Sequence, residues 1–158
     1  MSATIRRADR TDAAALTIIA HAAKRHWNYP AAWIRMWREQ LTVTPAYVDE
    51  HRVFVVEIDG TVGGFYALTG TGPVIELDHL WVDPGCIGEG LGRRLLEHAL
   101  AEASRGGAQR IEIDSDPHAE TFYEHLGARR IGKTAAPVEG DAARYLPRMV
   151  LKPGGDPD

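Results

Sequence analysis

Four glycines, Gly85, Gly88, Gly90 and Gly92, stand close together in this chain, and Arg93 and Arg94 follow them. Before them, Ile75–Val82 is rich in strand formers and stops at Asp83-Pro84, where proline ends sheet pairing. After them, Leu91, Leu95, Ala99 and Ala103 recur every fourth position, one apolar face of a helix. Strand, glycine loop and helix together make a place to hold phosphate. Glycines allow positive φ and close backbone approach, and the first-turn N–H groups of a helix have no intrahelical partner. The helix dipole adds partial positive charge there, and the two arginines can add full charges. Two familiar phosphate motifs fail on residues. A Walker loop ends in Gly-Lys-Ser/Thr, and here Gly92 is followed by Arg-Arg-Leu. A dinucleotide fingerprint needs Gly-x-Gly-x-x-Gly, and here the third position is Arg93. Other chemistry finds no support. Cys86 has no spaced histidine partner for an acyl nucleophile. His118 and His125 stand two helical turns apart outside any compact ligand motif, so no metal is expected.

What remains matches a different pattern. Val82-Asp83-Pro84, the Gly90-Leu91-Gly92 ending and Arg94-Leu95-Leu96 resemble the acetyl-CoA pyrophosphate loop of the GNAT superfamily of N-acetyltransferases. That loop is usually Gln/Arg-x-x-Gly-x-Gly/Ala, and here its first position is Ile87. Downstream, Asp116-Pro117-His118-Ala119-Glu120-Thr121-Phe122-Tyr123-Glu124-His125-Leu126-Gly127-Ala128 resembles the family's Asn-x-x-Ala-x-x-Phe-Tyr-x-x-x-Gly-Phe, with His118 near the asparagine. The two motifs stand in the family's order and spacing, which makes the resemblance specific over Ile75–Ala128.

The resemblance implies direct transfer of acetyl from acetyl-CoA, as co-substrate, to a primary amine on a small molecule or a protein. Such a reaction must deprotonate the amine, stabilise an oxyanion, protonate or neutralise the leaving thiolate, and align the reactants. By family position Glu76, fourteen residues before Gly90, is the general base, often through water. His79 is a second candidate base, with a side chain that titrates nearer neutrality, and Asp78 a third. In an ideal strand His79 and Glu76 face opposite sides. The Leu80 N–H would polarise the acetyl carbonyl, and the backbone of Trp81 and Val82 would run beside pantetheine. Backbone groups from Ile87 through Gly88, Glu89, Gly90, Leu91, Gly92 and Arg93 would hold the pyrophosphate. Tyr123 would be the general acid near the CoA sulfur, and His118 a pantetheine contact. Trp27 and Tyr29, in a link between two helices of the family's acceptor region, would line the amine site. Trp33 and Trp37, one turn apart, read as core. A catalytically silent acyl-CoA-binding module of the same fold is the alternative. A homodimer is suggested by the family alone.

Composition bounds these readings. The chain has 158 residues, 25% charged and 44% hydrophobic, which suits one soluble domain over 1–152. The formal net charge of −4 argues against a nucleic-acid partner. No apolar run reaches a membrane span, the N-terminus is no signal peptide, and the single cysteine suits a reducing cytoplasm. The tail, 153–158, reads as disordered.

The positioning elements follow in order. Thr4–Arg7 reads as a strand. Thr11 caps a helix over Asp12 to Arg25, with Ala15, Ile18, Ile19 and Ala22 on one face. Ala31–Leu41 and Pro45–Asp49 are helices, each opened by proline. Val53–Ile58 and Val62–Leu68 form a hairpin at Asp59-Gly60, with Gly63 and Gly64 weakening the second strand and suggesting a bulge. Ile75–Val82, a helix to Arg105, a strand Arg110–Asp114 and a helix from Asp116-Pro117 to Leu126 come next. Strands Arg129–Gly132 and Tyr145–Leu151 end the chain, the latter broken or bulged at Pro147. This order gives an α/β (α+β) fold: a mixed, largely antiparallel sheet of six to seven strands flanked by helices, as in GNAT proteins.

Overall fold

Alternation of branched apolar and polar residues produces seven strands, and apolar periodicity produces the helices between them. The computed structural model describes residues 2–153, so most of the expected tail, 154–158, lies outside the described residues. The strands are β1 (Ala3–Arg7), β2 (Arg52–Ile58), β3 (Thr61–Thr69), β4 (Val74–Val82), β5 (Arg110–Asp114), β6 (Arg129–Ala135) and β7 (Tyr145–Leu151). The helices are α1 (Ala13–Arg25), α2 (Ala31–Met36), α3 (Arg38–Leu41), α4 (Pro45–Glu50), α5 (Leu91–Arg105) and α6 (Glu120–His125). Hydrogen bonding orders the strands β1-β2-β3-β4-β5-β7-β6. Of the pairs with a described register, β4–β5 is parallel, and β1–β2, β5–β7 and β6–β7 are antiparallel. The mixed, largely antiparallel sheet expected from the element order is present. Two compact units share it: 2–67 with 79–96, and 68–78 with 97–153. No helix among the described residues is long and apolar enough to cross a membrane.

In the first unit, the start of α1 departs from expectation. Asp9, not Thr11, is the cap: its carboxylate accepts from the Thr11 N–H at 2.8 Å, and its own N–H donates to Asp12 Oδ2 at 2.9 Å. That reciprocal box forms a short 3-10 turn, Arg10–Asp12, before α1 begins at Ala13. Arg6 on β1 grips Asp12 with two N–H···O bonds of 2.9 and 3.0 Å and also pairs with Glu57 on β2. This guanidinium holds the Asp12 carboxyl below its ordinary pKa. The buried face of α1 is Ala13, Leu16, Ile19, Ala20 and Ala23, while Ile18 is 66% exposed. Alanines recur so often here that two neighbouring faces look alike, and Leu16 decides between them. The expected helix Ala31–Leu41 is interrupted at Trp37, whose backbone (φ −88°, ψ 2°) leaves helical values as its ring is buried. Thr44 caps α4 as a side-chain acceptor for the Tyr47 N–H at 3.0 Å, with Pro45 in the first turn.

Asp59 and Gly60 both take positive φ, 51° and 83°, the conformation a two-residue hairpin turn requires. Strand β3 runs from Thr61 through Gly63 and Gly64 to Thr69. The two glycines permit close approach. A Cβ on Gly64 would stand 2.7 Å from the Trp81 carbonyl oxygen and 3.2 Å from Leu95 Cδ1.

In the second unit, Ile75, Leu77, Ile111, Ile113, Met149 and Leu151 are buried along β4, β5 and β7. Residues of the opposite parity, Glu76, Glu112, Asp114 and Arg148, share the other face. Strand β7 is not broken at Pro147. That residue is buried, keeps register with Lys133, and uses its carbonyl to accept from the Ser115 N–H at 2.9 Å. The register shift falls instead on β6, between Arg130 and Gly132. Pairing with β7 carries β6 past Gly132 to Ala135, because tertiary hydrogen bonds outweigh the local glycine signal. Asp116 opens a 3-10 turn, Pro117–Ala119, and α6 then begins at Glu120.

Gly64→Ala tests the close approach. Its new Cβ meets backbone, which cannot move aside as a side chain can, so the expected loss is about 1–3 kcal/mol by urea unfolding. Gly63→Ala meets mainly the side-chain ends of Cys86 and Leu91 at 3.3 Å and should cost less. Equal costs would contradict this packing.

Candidate active site

The glycine loop grows out of the end of β4. The Asp83 N–H donates to the Gly63 carbonyl at 2.8 Å, and the Asp83 carboxylate accepts from the Gly85 N–H at 2.8 Å. The turn Pro84–Cys86 follows, and Ile87 projects into solvent, 55% exposed. Gly88 and Gly90 take φ of 95° and 75°, and an added Cβ would meet nothing within 4 Å at either. Backbone conformation, not crowding, therefore requires glycine here, and the space over the loop stays open. The Arg94 N–H bonds to the Gly90 carbonyl at 3.2 Å, which starts α5. The N–H groups of Leu91, Gly92 and Arg93 thus fall in the first turn of the helix. A run of amides at the positive end of a fifteen-residue helix can bind phosphate. Arg93 is exposed, while the Arg94 guanidinium is turned to the Ala3 carbonyl at 3.1 Å. Burial, then the negative charges of Asp83 and Glu89, push the Cys86 thiol up, which opposes the thiolate a nucleophile needs.

Along β4 in the same unit, His79 is buried and Leu80, Trp81 and Val82 are half-buried. The Trp81 indole N–H donates to His79 Nδ1 at 2.9 Å. An indole can only donate, so Nδ1 must be bare, and neutral His79 carries its proton on Nε2. The nitrogen able to accept a proton is thus the one already engaged. Phe65 and Tyr47 pack against the ring at 5.7 and 5.6 Å between centroids. Next to this cluster lies a feature that sequence reasoning missed. Lys24, only 8% exposed, holds its ammonium 4.3 Å from the Trp37 ring centre, 4.9 Å from Tyr29 and 5.8 Å from Trp81. Desolvated cation–π contacts of this kind are worth about 2 kcal/mol or more. Tyr29 also meets Trp37 edge-on at 5.0 Å and Trp33 at 5.8 Å. It further borders an open pocket of about 410 Å³ lined by Arg25, Asn28, Ala31, Ile34 and Arg35. Trp27 is not among these lining residues; it is 41% exposed and packs edge-on against His26.

In the second unit, Glu76 is not isolated. Arg148 Nη1 donates to Glu76 Oε2 at 3.0 Å, and Nη2 pairs with Oε1. The same guanidinium reaches Glu112 at 3.0 Å and Asp114 at 3.1 Å. Glu112 is also gripped by Arg110 at 3.0 Å, and the two arginines, Arg110 foremost, hold its carboxyl below the ordinary range. Asp78 is exposed. Tyr123 is buried on α6 beside Phe122, and burial, with Asp116 adding negative charge, pushes its phenol up. It is therefore protonated throughout the neutral range. His118 turns its Nδ1 to Asp116 Oδ1 at 3.0 Å. Among the described residues, no group of three or more His, Cys, Asp and Glu could hold a metal ion.

Comparison with known proteins settles the lineage. The model of the acetyltransferase (GNAT) family matches residues 14–128. The chain belongs to the GNAT family. YjgM of Escherichia coli K12, described as an uncharacterized N-acetyltransferase, is 33% identical over 88 residues. That match spans 51% of this chain and 53% of the relative, so the chain covers about half of the curated protein it matches. Among solved structures, the fold superposes on PaiA N-acetyltransferase from Thermoplasma acidophilum in complex with coenzyme A. Its TM-score is 0.78 at 19% identity, over 96% of this chain and 99% of that one. YncA from Salmonella typhimurium, with its cofactor acetyl-CoA, gives a TM-score of 0.69 at 25% identity, over 99% and 96%. In this chain Ile87 offers no polar side chain to the loop, and the His118 ring is bound to Asp116.

The Trp81–His79 bond carries its own test. Nitrogen-15 spectra of neutral His79 should show the proton on Nε2, and Trp81→Phe should admit the Nδ1–H form. A parent protein with Nδ1–H would contradict the bond and return His79 Nε2 to the candidate bases.

Proposed function

We propose that this chain is an acetyl-CoA-dependent N-acetyltransferase that transfers acetyl directly to a primary amine. The observation that carries the reading is the open loop at the start of α5, with Gly88 and Gly90 in left-handed conformations and helix-start amides beside them. PaiA and YncA, with coenzyme A and acetyl-CoA in their structures, support the choice of cofactor. The amides from Gly88 to Arg93 hold the pyrophosphate, the Leu80 N–H polarises the acetyl carbonyl, and Val82 with Trp81 guides pantetheine. Metal has no part in this scheme.

In the step itself, the amine nitrogen bonds to the acetyl carbon and the carbon–sulfur bond breaks. One proton leaves the nitrogen, and the thiolate gains one. Glu76 takes the first proton through water. Its pair with Arg148 occupies the two lone pairs facing the guanidinium, and an ionised carboxylate has about four lone-pair sites. With the Glu76 side chain 40% exposed, the outer sites remain open to water, while Arg148 fixes the rotamer. His79, its bare nitrogen taken by Trp81, acts as a positioning group. Tyr123 supplies the second proton or a strong hydrogen bond. A free phenol lies about 1.5 pK units above a thiol, and burial widens the gap, so full transfer requires a thiolate that is itself desolvated. Tyr29 and Trp27 border the acceptor side.

The alternative is a silent acyl-CoA-binding module, and one observation favours it: both leading base candidates are already hydrogen-bonded within the fold. A panel of amines followed by CoA release separates the two readings. For the enzyme, Tyr123→Phe should lower kcat by about 10²-fold with little change in acetyl-CoA affinity. Glu76→Gln should lower kcat/KM with a smaller change in melting temperature than Arg148→Met, which leaves three carboxylates together. Binding of acetyl-CoA without turnover of any amine supports the silent module. An unchanged kcat in Tyr123→Phe removes that residue from the chemistry.

A further inference from the structure

The open pocket between the end of α1 and α2 is lined by Arg25, Asn28, Tyr29, Ala31, Ile34 and Arg35, and has a volume of about 410 Å³. That volume suits a small molecule. Two of its six lining residues are arginines. Neither forms an ion pair with any carboxylate among the described residues, although the chain carries 22 acidic residues against 18 basic ones. Nearby, His21 is held below its ordinary pKa by burial first and then by the positive charges of Arg25 and Arg38. Positive potential therefore gathers on this one face of an acidic protein. Ala31 and Ile34 add apolar surface between the charges.

The tyrosine wall is set in advance. Tyr29 is held by Trp37 and Trp33, and the caged Lys24 ammonium stands against its ring. A wall fixed before binding loses little entropy when a ligand arrives. A guanidinium presents N–H donors in a planar fork that matches a carboxylate. A cation would meet repulsion from both arginines.

We propose that this pocket takes the anionic end of the acceptor, so that the amines acetylated carry a carboxylate and a small apolar body, as amino acids do. The proposal rests on the acetyltransferase reading and narrows its acceptor. It makes Arg25 and Arg35 specificity residues, and Tyr29, rather than Trp27, the aromatic wall.

Binding of acetylated products tests this without relying on turnover. In the presence of saturating CoA, N-acetylalanine, N-acetylmethionine and N-acetylphenylalanine are each titrated against their carboxamides by protein NMR. N-acetylputrescine serves as a cationic control. At least one acid should bind about tenfold or more tighter than its carboxamide, and the cation should bind weakest. Arg25→Gln and Arg35→Gln should each erase most of that preference, and Arg35→Lys should restore part of it. Both arginines are exposed, so the variants should fold. The melting shift induced by acetyl-CoA should survive in all of them. Acids that bind no better than carboxamides overturn the proposal, as does a preference that survives both substitutions. If the substitutions weaken CoA instead, the pocket serves the cofactor's phosphates and the acceptor proposal is wrong. Failure of the acetyltransferase reading shows separately, as an absent acetyl-CoA melting shift in the parent protein.

Discussion

The distance between β3 and the end of β4 is the constraint on which the candidate cofactor site depends. At Gly64 the missing Cβ lets the Trp81 carbonyl come within a distance that no larger residue tolerates. One residue earlier, the Gly63 carbonyl receives the Asp83 N–H. These two contacts set where β4 stops and where the chain turns. From there the Asp83 carboxylate tightens the turn, Gly88 and Gly90 bend through left-handed conformations, and buried Leu91 and Leu95 anchor α5. The helix start is therefore aimed by packing, and the place where its first-turn amides stand is a consequence of where the helix was made to begin.

Glu76 and His79 are embedded in hydrogen-bonded networks. Arg148 on β7 gathers Glu76 of β4 with Glu112 and Asp114 of β5, which would otherwise repel one another. Trp81 sets the tautomer of His79, and the same ring stands near Lys24. Such coupling fixes rotamers, which serves a reaction needing alignment. It also means that a substitution at Glu76 or Trp81 disturbs neighbours as well as chemistry.

Most strands, the hairpin and α5 were legible because their signals are local: alternation, Asp59-Gly60, and glycines before a regular apolar stripe. The glycine loop and the segment from Asp116 to Ala128 were legible as motifs. What escaped depends on residues far apart in the chain. The partner of Glu76 lies 72 positions away, on a strand whose Pro147 looked like a break. The cage around Lys24 forms only when Tyr29, Trp37 and Trp81 converge. The buried face of α1 is hidden in the sequence because alanine-rich turns offer little apolar contrast. Arg25 and Arg35 gave no motif at all; only the fold places them on one pocket.

The central claim is that the backbone from Gly88 to Arg93 holds the cofactor's phosphates. Hydrogen exchange of those amides, with and without saturating CoA, reads it directly. Exchange there should slow by about tenfold or more, with smaller changes across β6. Protection absent from this loop, in a protein that nonetheless binds CoA and slows elsewhere, would contradict it.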